Sequence, residues 1–116
     1  MNKNTEAQAN SIKISEDVVT KIAEIAAGNV DGVSSFTKTK VKFSNLFKKE
    51  NSEAAIDVQN ENGSIDITVN VIVSYNSKVK KVAEKIQEKI KNDVQNMTGI
   101  IVSKVNVVVD GISFDN

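Results

Sequence analysis

In the stretch IDVQNENGSIDITVNVIVSY, from Ile56 to Tyr75, the dipeptide Asn62-Gly63 constrains the chain more than any other pair of residues. Both central positions of a two-residue type I′ hairpin turn need positive φ, which Asn-Gly supplies at little cost. Pairing outward from that turn sets Val58 opposite Ile67 and Ile56 opposite Val69. Gln59 then faces Asp66 and Asp57 faces Thr68, so one side of the ribbon is apolar and the other polar. A slip of one residue would invert both sides, so turn and pattern select the same register. The second strand continues by strict alternation through Val71 and Val73 to Tyr75.

The flanking segments alternate between periods of two and of three to four. Residues 1–10 are small and polar and read as a loose tail ahead of a single domain at 11–116. Ile12 and Ile14 alternate with Lys13, which predicts a short strand. Ser15 is a natural N-cap, and Glu16 and Asp17 suit the positive end of a helix dipole. Ile14 and Val19 are placed to form a hydrophobic staple across that cap. Val18, Ile22, Ile25 and Ala26 follow at helical spacing, and Gly28 stops a helix begun at Glu16. After Tyr75, Asn76 or Ser77 caps a second helix with apolar positions Val79, Val82, Ala83, Ile86, Ile90, Val94 and Met97. Gly99 ends it, and Val105, Val107 and Val109 resume alternation. Gly111 falls where that alternation slips, as at a bulge, before Ile112 and Phe114.

The predicted order is therefore β-α-β-β-β-α-β. A strand that follows a crossover helix should lie parallel to the strand before it. The expected fold is α+β, a two-layer domain with a mixed sheet and both helices on one face. Its helix-free face would display Thr68, Asn70, Ile72, Asn106 and Val108. Ile72 and Val108 are the apolar members of that set and candidates for sheet-face association.

Composition then narrows the chemistry. Fifteen lysines balance fifteen acids, without Arg or His, so no net field draws in polyanions. Bidentate Arg forks for phosphate or guanine are missing. With no Cys or His, thiolate and imidazole are unavailable as nucleophile, base or metal ligand. No calcium loop, P-loop or G-x-G-x-x-G run is present. Neither a catalytic residue, a cofactor site nor a metal site is expected. The opening MNKNTEAQANS lacks the apolar run of a signal peptide, and apolar runs elsewhere reach three residues. A cytoplasmic, non-enzymatic protein is the resulting expectation.

Two segments invite a functional reading. KVKKVAEKIQEKIKN, Lys78 to Asn92, holds six lysines, with Lys80, Lys81 and Lys85 the obvious polyanion contacts. They lie off the apolar stripe and alternate with Glu84 and Glu88, which fits a solvated helix back and makes nucleic acid an unlikely partner. FTKTKVKFSNLFKKE, beginning at Phe36, concentrates three of the four Phe and five lysines. Phe43, Leu46 and Phe47, ringed by Lys48 and Lys49, could dock on a partner or an anionic membrane surface. The alternative is that they fold back over the sheet edge, since a chain so poor in aromatics has few to spare from its core.

Three stretches carry a family resemblance. They are IKISEDVVTKIAEIAAGNVDGV at 12–33, IDITVNVIVSYNSKVKKVAEKIQEKI at 65–90 and MTGIIVSKVNVVVDGISF at 97–114. Together they resemble the alkaline-shock-protein family of Gram-positive bacteria, whose variable part corresponds to 34–54. The resemblance implies a cytoplasmic, non-enzymatic role in cell-envelope stress or homeostasis. It implies a protein partner, either a membrane-anchoring protein that recruits the chain to the inner face of the membrane or a metabolic enzyme, and self-association into a homo-oligomer. The ending VNVVVDGISF is most similar to a paralogue associated with fatty-acid synthesis at the acetyl-CoA carboxylase step. The family offers no catalytic residues to place on this chain.

Overall fold

The Asn62-Gly63 turn has the geometry its sequence demands, with φ of 49° and 88°. In the computed structural model, which describes residues 12–36 and 55–114, it joins β2 (Ile56–Glu61) to β3 (Ser64–Ser74). The register is the one the turn dictates: Ile56 opposite Val69, Asp57 opposite Thr68, Val58 opposite Ile67 and Gln59 opposite Asp66. Along β3 every second residue from Ile65 to Val73 is buried, so one face of the strand carries the core.

β3 is the spine of the sheet. On one side it pairs antiparallel with β2 and, further along, with β1 (Val33–Phe36). On the other side β4 (Ile101–Ser113) runs parallel to it over its full length, as the crossover predicts. Two register shifts occur in that ladder. One skips Ser103 between the Ile65–Val102 and Asp66–Lys104 pairs; the other skips Asp110 between Val71–Val109 and Ile72–Gly111. The slip at Gly111 is thus a bulge, as expected, whereas the bulge at Ser103 is not signalled by alternation. Its effect is to keep both Val102 and Val105 on the buried face.

Both helices cover the same face. α1 (Glu16–Gly28) starts at Ser15, whose hydroxyl accepts the Val18 N–H at 3.3 Å. α2 (Val79–Thr98) ends at Gly99 in the left-handed region, with the Gly99 N–H bonded to the Gln95 carbonyl. Val82, Ile86, Ile90 and Val94 of α2 and Val19, Ala23, Ala26 and Ala27 of α1 join the β3 valines in one core. Burying an aliphatic side chain of this size contributes about 1.5–3 kcal/mol, so α2's stripe is a main source of cohesion. Gly32, at φ 101°, lets the chain pass close under α2. A Cβ there would lie 2.7 Å from Cγ2 of Val82.

Four expectations need correcting. Ile12 to Ser15 form no strand: Ile12 is exposed and only Ile14 turns in to pack on the core, so the observed order is α-β-β-β-α-β. Three alternating residues with no pairing partner lack the ladder that makes a strand. Of the Val18–Ile22–Ile25–Ala26 set on α1, Ala26 is buried and Ile22 packs partly against the core, but Val18 is 46% and Ile25 57% exposed. α2 is capped by Lys78 without a side-chain hydrogen bond, not by Asn76 or Ser77. Finally, Val79 and Met97, at the two ends of α2's stripe, are exposed.

Candidate interaction surfaces

β4 presents the most uncovered apolar surface of the described residues. It lies at the edge of the sheet, with β3 on one side and no described strand on the other. Thr98 sets its start: its hydroxyl donates to the Val94 carbonyl at 2.7 Å and accepts the Ile100 N–H at 3.0 Å. Two glutamines of α2 reach its backbone. Gln95 accepts the Val102 N–H at 3.0 Å and Gln87 donates to the Val105 carbonyl at 3.1 Å. Four large apolar residues on or just beyond this strand are exposed, from Ile101 at 63% through Val108 and Ile112 to Phe114 at 72%.

The helix-free face runs across β2, β3 and β4. Lys104 sits beside Asp66, Asn106 beside Thr68 and Val108 beside Asn70. The Asn106 amide donates to the Thr68 hydroxyl at 3.3 Å, and the Ser103 hydroxyl lies 2.7 Å from that of Ser64. Ile72 and Val108, the residues singled out from the sequence, occupy neighbouring rungs of this face. They are not equivalent. Ile72 is half-buried and lies over Gly111, its Cδ1 3.2 Å from where a Cβ would stand, while Val108 is exposed. At the far end of the sheet the Tyr75 and Phe114 rings meet with centroids 4.8 Å apart and planes tilted by 37°, both exposed. Sequence reasoning placed each ring on a strand but missed their meeting. The signal available was that both follow the last residues of parallel neighbours.

A second surface is a groove beside α2. Its two lobes, of about 340 and 260 Å³, share Asp31 and Lys85. Lys78 and Lys81 line one lobe, Glu88 and Lys89 the other, and Asn29 to Gly32 form the opposite wall. Of the lysines proposed as polyanion contacts, Lys81 and Lys85 face this groove, and Lys80 is exposed but does not line it. Lys89 is tied to Asp93 at 3.4 Å. With carboxylates in both lobes, the groove is a mixed-charge surface, not a phosphate track.

Phe43, Leu46, Phe47, Lys48 and Lys49 lie outside the described residues, as do residues 1–11. Of that aromatic segment, only Phe36 is described; it packs partly against the core, close to Gly28. Among the described residues no three His, Cys, Asp or Glu side chains are grouped to hold a metal ion, and no helix is long and apolar enough to cross a membrane.

Comparison with known proteins agrees with this architecture. The chain is 32% identical over 108 residues to uncharacterized protein YloU of Bacillus subtilis, covering 90% of each chain. It is 32% identical over 108 residues to uncharacterized protein YqhY of the same organism, covering 90% of this chain and 78% of that one. Among solved structures, a MamM CTD superposes with a TM-score of 0.52 at 15% identity, covering 84% of this chain and 99% of that one, a likeness of fold alone. Residues 4–114 match the sequence pattern of a family described by its cell envelope-related function, and the chain belongs to that family, the alkaline-shock proteins.

Proposed function

We propose that the chain is a non-enzymatic, cytoplasmic binding protein of cell-envelope homeostasis. It acts by docking a protein partner, either a membrane anchor that recruits it to the inner face of the membrane or a metabolic enzyme. The observation that carries this reading is the exposed apolar surface of β4 and its end, Val108, Ile112 and the Tyr75–Phe114 pair, on a sheet that no described helix covers from the other side. Regulation of fatty-acid synthesis at the acetyl-CoA carboxylase step is one choice of partner within the same reading. Phe43, Leu46 and Phe47, with Lys48 and Lys49, are a second proposed contact.

The reading is tested by capturing partners from the native cells with the tagged chain and with two variants. Val108→Asp changes an exposed position, so it should melt within about 0.5 kcal/mol of the parent. It should nevertheless lose the principal partner. Phe43→Ala with Phe47→Ala should do the same if the aromatic segment is a contact. A partner retained by both variants would remove the sheet face and the aromatic segment from the function.

A further inference from the structure

We infer that the groove beside α2 is a second docking site, separate from β4, and that it takes an extended acidic peptide segment of a partner protein. Lys78, Lys81 and Lys85 recur at spacings of three and four residues, so they form a row along one side of α2 and its cap. That row lines the lobe at the start of the helix. On a chain of zero net charge, this lobe gathers three lysines against one acid, Asp31. None of the three lysines is within ion-pair distance of a carboxylate among the described residues, whereas Lys89, in the other lobe, is held by Asp93. Ser77 shares the basic lobe, and its hydroxyl makes no hydrogen bond among the described residues. The glycine at 32 leaves room for it: a Cβ there would lie 2.8 Å from the Ser77 Oγ.

The other lobe reverses the balance. With Lys89 paired, Glu88 and Asp31 stand there against Lys85. The groove therefore grades from basic near Lys78 to mildly acidic near Glu88, and its occupant should carry the opposite grading. A nucleic acid, negative at every phosphate, would meet Asp31 and Glu88 as well as the lysines. A peptide can change sign from residue to residue, with carboxylates toward Lys78, Lys81 and Lys85 and a lysine toward Glu88. Lys78 to Asn92 spans about 21 Å of helix, the reach of about six extended residues. Lys81 and Glu88 are about 10 Å apart along the axis, so the acids and the lysine of the peptide should be about three residues apart.

The probe is a labelled peptide, Glu-Glu-Ala-Ala-Lys-Ala, titrated with the full chain and followed by fluorescence anisotropy. Binding should saturate and weaken as salt is added. Lys81→Glu with Lys85→Glu should raise the dissociation constant about tenfold. Lys80→Glu with Lys91→Glu makes the same charge change at exposed lysines outside the groove and should stay within about threefold of the parent. Glu88→Lys should weaken this peptide and strengthen one whose lysine is replaced by glutamate. Amide shifts of the parent chain, which need no variant to fold, should move at Asn29–Gly32 and along 77–92. Val108→Asp should leave the affinity unchanged, so failure here leaves docking through β4 standing. The inference is overturned by an absence of saturable binding at millimolar peptide, by equal losses in the two lysine pairs, or by shifts centred on β4. An oligonucleotide or inorganic phosphate that displaces the peptide at concentrations below the peptide's own dissociation constant also overturns it.

Discussion

α1 and α2 lie side by side on one sheet face, yet they bury opposite kinds of residue. α2 turns its branched aliphatics inward: Val82, Ile86, Ile90 and Val94 are buried. α1 buries Val19 and three alanines, Ala23, Ala26 and Ala27, while Val18 and Ile25 point outward. The helix with the more hydrophobic sequence thus contributes the smaller side chains to the core. The difference teaches that a helix's buried face is set by how closely its backbone must approach its neighbours. α1 packs against α2, β1 and β2, and fits there because alanine permits a short approach.

The comparison is most easily broken at Ile86. Because its side chain is completely buried, Ile86→Ala should cost about 2–5 kcal/mol, read from urea unfolding midpoints. A near-parental midpoint would show that α2's stripe is not the main source of cohesion. Ala23, equally inaccessible, tests the opposite limit. Ala23→Leu adds volume where none is free and should destabilise by about 1–3 kcal/mol, even though leucine is the more hydrophobic residue. Stabilisation by that change would mean α1 has room to spare.

The helix starts sharpen the contrast further. Ser15 caps α1 through its hydroxyl, so Ser15→Ala should cost about 1 kcal/mol. Ser77 precedes a helix start that has no side-chain cap, and Ser77→Ala should stay within about 0.5 kcal/mol. Equal losses at the two serines would contradict the asymmetry. The smallest effect belongs to Ile25→Ala, which removes a largely exposed side chain. It should also remain within about 0.5 kcal/mol, against a loss several times larger for Ile86→Ala. Thermal melting of the two variants side by side measures that ratio directly.

Much of the architecture could be read from residues alone, and for identifiable reasons. Asn62-Gly63 and the alternation on either side of it specify the β2–β3 register, since turn and strands are contiguous and each restricts the other. The α2 stripe was legible because its apolar and charged positions separate cleanly around the helix. α1 was legible only in part: Ala26 and Ile22 of the Val18–Ile22–Ile25–Ala26 set do face the core, but apolar residues also occupy the adjacent Val19–Ala23 positions, and periodicity alone favours the larger Val18 and Ile25. Of the candidate surface, Val108 was visible as an apolar residue on a polar face. The Tyr75–Phe114 pair and the lobes around Asp31 and Lys85 each join residues more than thirty positions apart, which no local pattern reports.

What the sequence determined by itself is the set of elements whose causes are local: the hairpin turn and its register, the Ser15 cap, the Gly99 stop, the Gly111 bulge and the membership of the family. The tertiary structure alone decided which α1 face is buried, that Ile12–Ile14 find no partner among the described strands, that Ser103 is skipped, and that β4 is the edge of the described sheet. The physical reason is the range of the forces involved. Turns, caps and alternation are settled by backbone geometry over a few residues, whereas burial and strand pairing depend on what the rest of the chain brings within contact distance.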